Sequence, residues 1–193
     1  MQDVQGSRIA ASPARQHVGI AACAIVVLTA AAVADTARAD MFLKLSGIDG
    51  ESVNAKHSGE VDVTGIILPI LAPAATGGVG GSGKVNCPSL TVFKNLDKAS
   101  PILMKKLAQG VHIPRAVLTV QRSGAEQVDF YVLTMDEVLV TEVTQMSEDP
   151  SHLSDKVVFT ARRYNFEYRV QNTTGGSPEF VKFGWDCVTT SIT

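Results

Sequence analysis

Residues Asp97 to Gly110 read Asp-Lys-Ala-Ser-Pro-Ile-Leu-Met-Lys-Lys-Leu-Ala-Gln-Gly, the pattern of one short helix in a chain otherwise rich in strand-like segments. Ser100 suits the N-cap, because its hydroxyl can accept a bond from a free N–H of the first turn. Pro101 follows at the first helical position, where a missing N–H costs nothing. Lys105 and Lys106 fall near the negative end of the helix dipole. Gly110 suits the left-handed residue that ends a helix, and Leu103 and Leu107 lie one turn apart on one face. A single helix among strands points to a mainly β fold.

The strand signals surround it. Met41 to Leu45 is a short apolar strand, and Gly47 to Gly50 turn the chain away from it. Glu60 to Leu68 alternates at first and then becomes continuously apolar, until Pro69 and Pro73 interrupt it. Lys84 to Asn95, Val111 to Arg122 and Gln127 to Gln145 are strand-like, with a turn at Ser123-Gly124. Between Val157 and Gln171, period two places Tyr164, Phe166, Tyr168 and Val170 on one face and Asn165, Glu167, Arg169 and Gln171 on the other. After a turn at Thr173 to Pro178, Phe180 to Cys187 carries Val181, Phe183 and Trp185 on one side. Strands at this spacing with turn signals predict a closed or nearly closed β-barrel or sandwich.

The first 39 residues are read apart from this fold. Arg8 and Arg15 precede an uncharged run from Val18 to Ala34, and Ala37-Arg38-Ala39 offers small residues at the spacing a signal peptidase requires. The expectation is a signal peptide over 1–39, cleaved between Ala39 and Asp40, followed by one domain over 40–193. At 17 residues the run is at the short edge for spanning a bilayer, the alternative being an uncleaved anchor. Ile20-Ala-Ala-Cys23 imitates a lipoprotein box but stands at the start of the apolar run, so Cys23 is read as an ordinary leader residue.

Removing the leader takes three basic and two acidic side chains from totals of 17 and 19, which leaves a net charge of −3 and no sign of a nucleic-acid surface. Cys87 and Cys187 remain. An even count in an exported chain allows a disulfide between them; two unpaired buried thiols are the other arrangement.

Chemistry finds little support. Gly78 to Lys84 satisfies G-x-x-x-x-G-K, yet Val85 stands where a P-loop needs a hydroxyl for Mg²⁺, and no helix follows. The plain reading is a mobile loop containing Gly77, Gly78, Gly80, Gly81 and Gly83. No G-x-S-x-G elbow occurs. His57, His112 and His152 lack metal-ligand spacing and read as surface or strand-end residues. Asp129, Asp136 and Glu137 read as outward charges on a sheet. The expectation is therefore no enzyme, no cofactor and no metal, but a structural or binding role.

Five blocks in order add a family resemblance. They are Phe42-Leu-Lys-Leu-Ser-Gly-Ile-Asp-Gly-Glu-Ser52; Lys56-His57 with Glu60-Val61; Leu96-Asp-Lys-Ala-Ser-Pro101 with its helix and Gly110-Val-His-Ile113; Phe166-Glu-Tyr168; and Gly184-Trp-Asp186. Together they resemble the Hcp (hemolysin-coregulated protein) family, the inner-tube subunit of the bacterial type VI secretion system. The resemblance implies a two-sheet β-barrel-like body with one short helix on its side. It implies homohexameric rings that stack into a tube, effectors held in the lumen, and spike and sheath proteins as partners. It also makes the glycine-rich loop a ring or stacking contact. Two departures stand out. Family members usually start near the position of Met41 without a leader, so the product is either exported or, with Met41 as its true start, cytoplasmic. And Ile66-Ile-Leu-Pro-Ile-Leu71 stands where the family commonly carries a more aromatic strand. An exported Hcp-like binding or adhesion module outside the tube is the alternative.

Overall fold

The computed structural model describes residues 39–71, 86–123, 127–149, 151–170 and 179–192. Among these residues, eight strands and one helix follow in the order β1 (Ala39–Leu45), β2 (Val61–Val63), β3 (Gly65–Ile67), β4 (Ser89–Asn95), α1 (Ala99–Gln109), β5 (Ile113–Arg122), β6 (Val128–Asp149), β7 (His152–Arg169) and β8 (Phe180–Asp186). All ladders are antiparallel. The sheet runs β2-β1-β5-β6-β7-β4-β3, with β8 on β7.

The two ends of that sheet are neighbours in sequence. β2 pairs with β1 through Met41↔Val63, and β3 pairs with β4 through Gly65↔Phe93. Only Thr64 separates them, and its N–H donates to the Phe93 carbonyl at 2.8 Å. One short segment thus stitches the first strand to the fourth and brings the sheet nearly to closure, which removes most of its exposed edge. The strand ends at Ile67, two residues before Pro69.

Alternation sets the core. Leu43 and Leu45 of β1, Val61 and Val63 of β2, Leu90 and Val92 of β4, and Val157 and Phe159 of β7 point inward and are buried together. The predicted faces of β7 and β8 hold: Tyr164, Phe166 and Tyr168 lie opposite Trp185, Phe183 and Val181.

A shared phase slip runs across the three long strands. In β6 the buried residues are Leu133 and Met135, then Val138 and Val140. β5 changes phase between Ile113 and Ala116, and β7 between Phe159 and Tyr164. The slip centres on Glu137, whose φ is +54°, an unfavourable left-handed backbone for a non-glycine residue. The flanking pairs Ile113↔Val138 and Arg115↔Asp136 place Pro114 across from it, a residue with no N–H to pair. Two adjacent side chains per strand then face outward, and apart from Pro114 they are charged. Arg115 Nε lies 2.7 Å from Asp136, and Arg162 and Arg163 each lie 3.6 Å from Glu137.

Helix α1 ends as expected, with Gly110 at φ +60° and its N–H bonded to the Leu107 carbonyl. Leu103 is fully buried, and Leu107 packs against the core. The start of the helix differs from expectation. Ser100 is not the N-cap but lies in the first turn, and Asp97 Oδ1 takes the Ala99 N–H at 2.9 Å. The Ser100 hydroxyl is drawn into the body, where it donates to Asp155 and accepts from Lys94 Nζ at 2.8 Å.

Candidate assembly surface

Three places could act on another molecule: the outer face under residues 50–60, the buried polar cluster beneath the helix, and the free side of β8. The first begins with Phe42, which faces away from the core row of β1 yet is buried. Its cover is His57, stacked at 4.4 Å between ring centroids and 9° from parallel. His57 Nδ1 lies 3.0 Å from Glu60, and Nε2 lies 3.3 Å from Asp129 of β6. Gln121 donates to the same Asp129 oxygen at 2.8 Å and accepts from Asn54 at 3.1 Å. Gly50 lets the loop close, since a Cβ there would sit 2.3 Å from the Glu60 carbonyl oxygen. His57 is therefore a buried clamp, not the surface histidine expected, and Asp129 is its partner. With both ring nitrogens engaged and Phe42 below, it has no open side for a substrate.

The second place has the ingredients of a Ser–Lys pair. Lys94 Nζ reaches Ser100, Asp97 at 2.8 Å, Asp155 at 3.1 Å and the Asn95 carbonyl at 2.8 Å. Lys94, Ser100 and Asp155 are all sealed from solvent. A nucleophile needs access to its substrate, and this cluster offers none; it fastens α1 to β4 and β7. Among the described residues, no group of three His, Cys, Asp or Glu side chains is placed to hold a metal ion.

The third place is a surface. β8 pairs with β7 on one side. On its other side the described residues meet it only near its end, where Asp186 N–H donates to Ser191 at 3.0 Å and Trp185 bridges Ile192. From Phe180 to Gly184 that edge carries backbone donors and acceptors unpaired among the described residues. The face beside it is apolar and loses cover along its length. Trp185 and Tyr164 are buried, Phe166 is half-buried, and Phe183, Tyr168 and Val181 are 38%, 44% and 57% exposed. On the opposite face Phe180 lies beneath Arg169 and Lys182, at 5.2 and 5.7 Å from its centroid. An apolar band on an open strand edge is the arrangement that proteins either cover or use to bind. Ile67, Ile70 and Leu71 are a second exposed apolar group, at the end of the β3 segment.

The structure joins Cys87 to Cys187, with Cα atoms 5.7 Å apart. The bond ties the entry of β4 to the exit of β8, beside Tyr164, whose phenol donates to the Pro88 carbonyl at 2.6 Å and accepts from the Ala161 N–H at 2.8 Å. Burial pushes the Tyr164 phenol above its ordinary range, and the same cause raises Tyr131. Ala39 and Asp40 begin β1. The glycines at 77, 78, 80, 81 and 83 lie outside the described residues. None of the described helices is long and apolar enough to cross a membrane.

Comparison with known proteins follows the same geometry. The family described as "Type VI secretion system effector, Hcp" matches residues 42–168. Protein hcp1 of Pseudomonas aeruginosa is 36% identical over 154 residues, covering 76% of this chain and 94% of the relative. The crystal structure of Hcp1 from Salmonella typhimurium superposes with a TM-score of 0.67 at 27% identity, over 80% of this chain and 99% of that one. A structure described as a type six secretion system protein reaches 0.73 at 23% identity, over 81% and 100%, a likeness of fold.

Proposed function

Since the chain belongs to the Hcp family of type VI secretion system proteins, we propose that it is a structural subunit that assembles into homohexameric rings. Rings of this kind would stack, hold effector proteins in the lumen and meet spike and sheath proteins of the secretion machine. The family match over residues 42–168 carries this reading. The open edge of β8 supports it. A contact between two different surfaces closes into a ring when the rotation fits, and an uncovered strand edge with an apolar face is half of such a contact. In this reading the Gly77–Gly83 loop is a ring or stacking contact.

The leader is proposed to be a signal peptide cut between Ala39 and Asp40, which makes the product periplasmic or secreted, with the Cys87–Cys187 bond retained in an oxidising compartment. A second reading draws on that leader and on the exposed group Ile67, Ile70 and Leu71: an exported binding or adhesion module of the same fold that does not build a tube. Size-exclusion chromatography with light scattering on the chain starting at Asp40 separates the two. The ring gives the mass of about six subunits; a monomer throughout the micromolar range overturns it in favour of the module.

A further inference from the structure

We propose that the Cys87–Cys187 bond is a thiol-exchange site that latches β8: a small thiol cuts it in the folded protein, and β8 can then detach while the rest of the barrel stays closed. The latch requires neither a ring nor export. The bond sits at a seam. β4 and β8 line the same edge of β7 end to end, β4 beginning at Ser89↔Thr160 and β8 ending at Asp186↔Arg163. Ala161 and Arg162 of β7 fall between them. The Ala161 N–H donates to the Tyr164 hydroxyl, and the Arg162 carbonyl accepts from the Cys187 N–H at 2.8 Å. Cys187 is half-buried against the core, whereas Cys87 is exposed. A disulfide sealed inside a core meets no thiol; one with an exposed half-cystine does.

Beyond the bond, β8 is held mainly on one side. Its ladder to β7 runs from Phe180↔Arg169 to Asp186↔Arg163, and among the described residues its other edge meets only Ser191 and Ile192. Trp185 is buried and Phe183 lies 5.6 Å from Phe166 between ring centroids, but Phe180 to Phe183 are exposed. The ion pair of Lys182 with Glu167 is at the surface and adds little. By contrast β1, β4 and β5 each have a strand on both sides. Elements with few buried contacts open below the free energy of global unfolding. While the bond is closed, β8 can leave β7 only as a loop tied at Arg169 and Cys187. Cutting it frees one end, and for a loop of this size chain entropy favours the open form by about a hundredfold. Glutathione serves as the reductant. Its thiolate attacks the Cys87 sulfur, the S–S bond breaks, and the electron pair leaves on Cys187, which takes up a proton. A second glutathione thiolate attacks the glutathione sulfur of the mixed disulfide, releasing Cys87 as a thiolate, which takes up a proton, and oxidised glutathione.

The test uses the purified oxidised protein, with and without reduced glutathione, labelled by hydrogen–deuterium exchange and read by mass spectrometry of its peptides. The double variant Cys87→Ser with Cys187→Ser is labelled beside it without thiol. Glutathione is expected to cut the bond in the absence of denaturant. The β8 amides are then expected to exchange about a hundredfold faster, within a labelling time that leaves β1, β4 and β5 protected. The variant is expected to match the reduced parent. Reduction that proceeds only in urea overturns the accessible site. Exchange of β8 that is unchanged by reduction, or that rises only together with β1, β4 and β5, overturns the latch and leaves the bond a staple of the whole fold.

Discussion

Lys94 and Asp155 face each other across the β4–β7 ladder, both fully buried, with the ammonium 3.1 Å from the carboxylate. Each continues an inward row, Lys94 after Leu90 and Val92 and Asp155 before Val157 and Phe159, so an ion pair sits where alternation would place two apolar residues. Asp97 and Ser100 complete the shell of the amine and carry the start of α1 with them. Removing only the cation leaves the fully buried Asp155 and the largely covered Asp97 without their partner. Lys94→Met is expected to cost about 3–5 kcal/mol, read as a lower urea midpoint at unchanged slope. Adding Asp155→Leu to that variant is expected to recover part of the loss, because it removes one of the stranded charges.

How much of this was legible depends on where the partner of each residue lies. The helix and its C-terminal Gly110, and the facing rows of β7 and β8, follow from local period and cap chemistry. The capping of α1 does not. Ser100 has the right chemistry for an N-cap, but its hydroxyl is recruited by Asp155, 55 residues away; Lys98 stands at the N-cap without a side-chain bond, and Asp97, one residue earlier, accepts the Ala99 N–H. Lys94 carried a usable signal, since Leu90, Val92 and Lys94 share one parity, though the compensating acid lies 61 residues on. His57 carried less: its second carboxylate is 72 residues distant, and only the spacing to Glu60 is local. The phase slip at Glu137 breaks the alternation of β6, and Pro114, across the ladder from it, was its one sign in the sequence.

Alkaline pH acts through Tyr164 and Tyr131. Burial raises both phenols, because the phenolate loses more hydration than the neutral ring. With the folded-state pKa above the unfolded value of about 10, the folded chain holds its protons longer. The associated stability is whole below that pH and is lost as pH rises through the folded values. Absorbance at the tyrosinate band, followed against pH, is expected to show these two groups ionising late and together with unfolding. Tyr164→Phe removes the donor to the Pro88 carbonyl and is expected to cost about 1–3 kcal/mol.

Reduction probes a different link. The Cys87–Cys187 bond closes a loop across a sequence separation of 100, for which chain entropy alone gives about 4–5 kcal/mol. The purified chain is expected to gain the mass of two hydrogens on reduction. Cys87→Ser with Cys187→Ser is expected to melt at a lower temperature than the oxidised parent and to be unaffected by reductant. Identical melting of parent and variant would remove the bond from the stability of the fold.

The edge of β8 separates folding from assembly. Val181 is 57% exposed, while Phe183, at 38%, keeps a ring contact with Phe166 at 5.6 Å, so replacing both costs the isolated barrel about 1–2 kcal/mol. Their value in a ring would be different, because a charge placed in an apolar contact must be desolvated without a partner. Val181→Lys with Phe183→Glu is therefore expected to lower the thermal transition of the subunit by a few degrees, with one cooperative unfolding step kept, while the light-scattering mass falls to one subunit. Arg115→Ala, on the charged belt around Glu137 and away from this edge, serves as the comparison and is expected to keep the assembled mass. Assembly that survives both substitutions at the edge would move the contact elsewhere, with the exposed group Ile67, Ile70 and Leu71 the next surface to change.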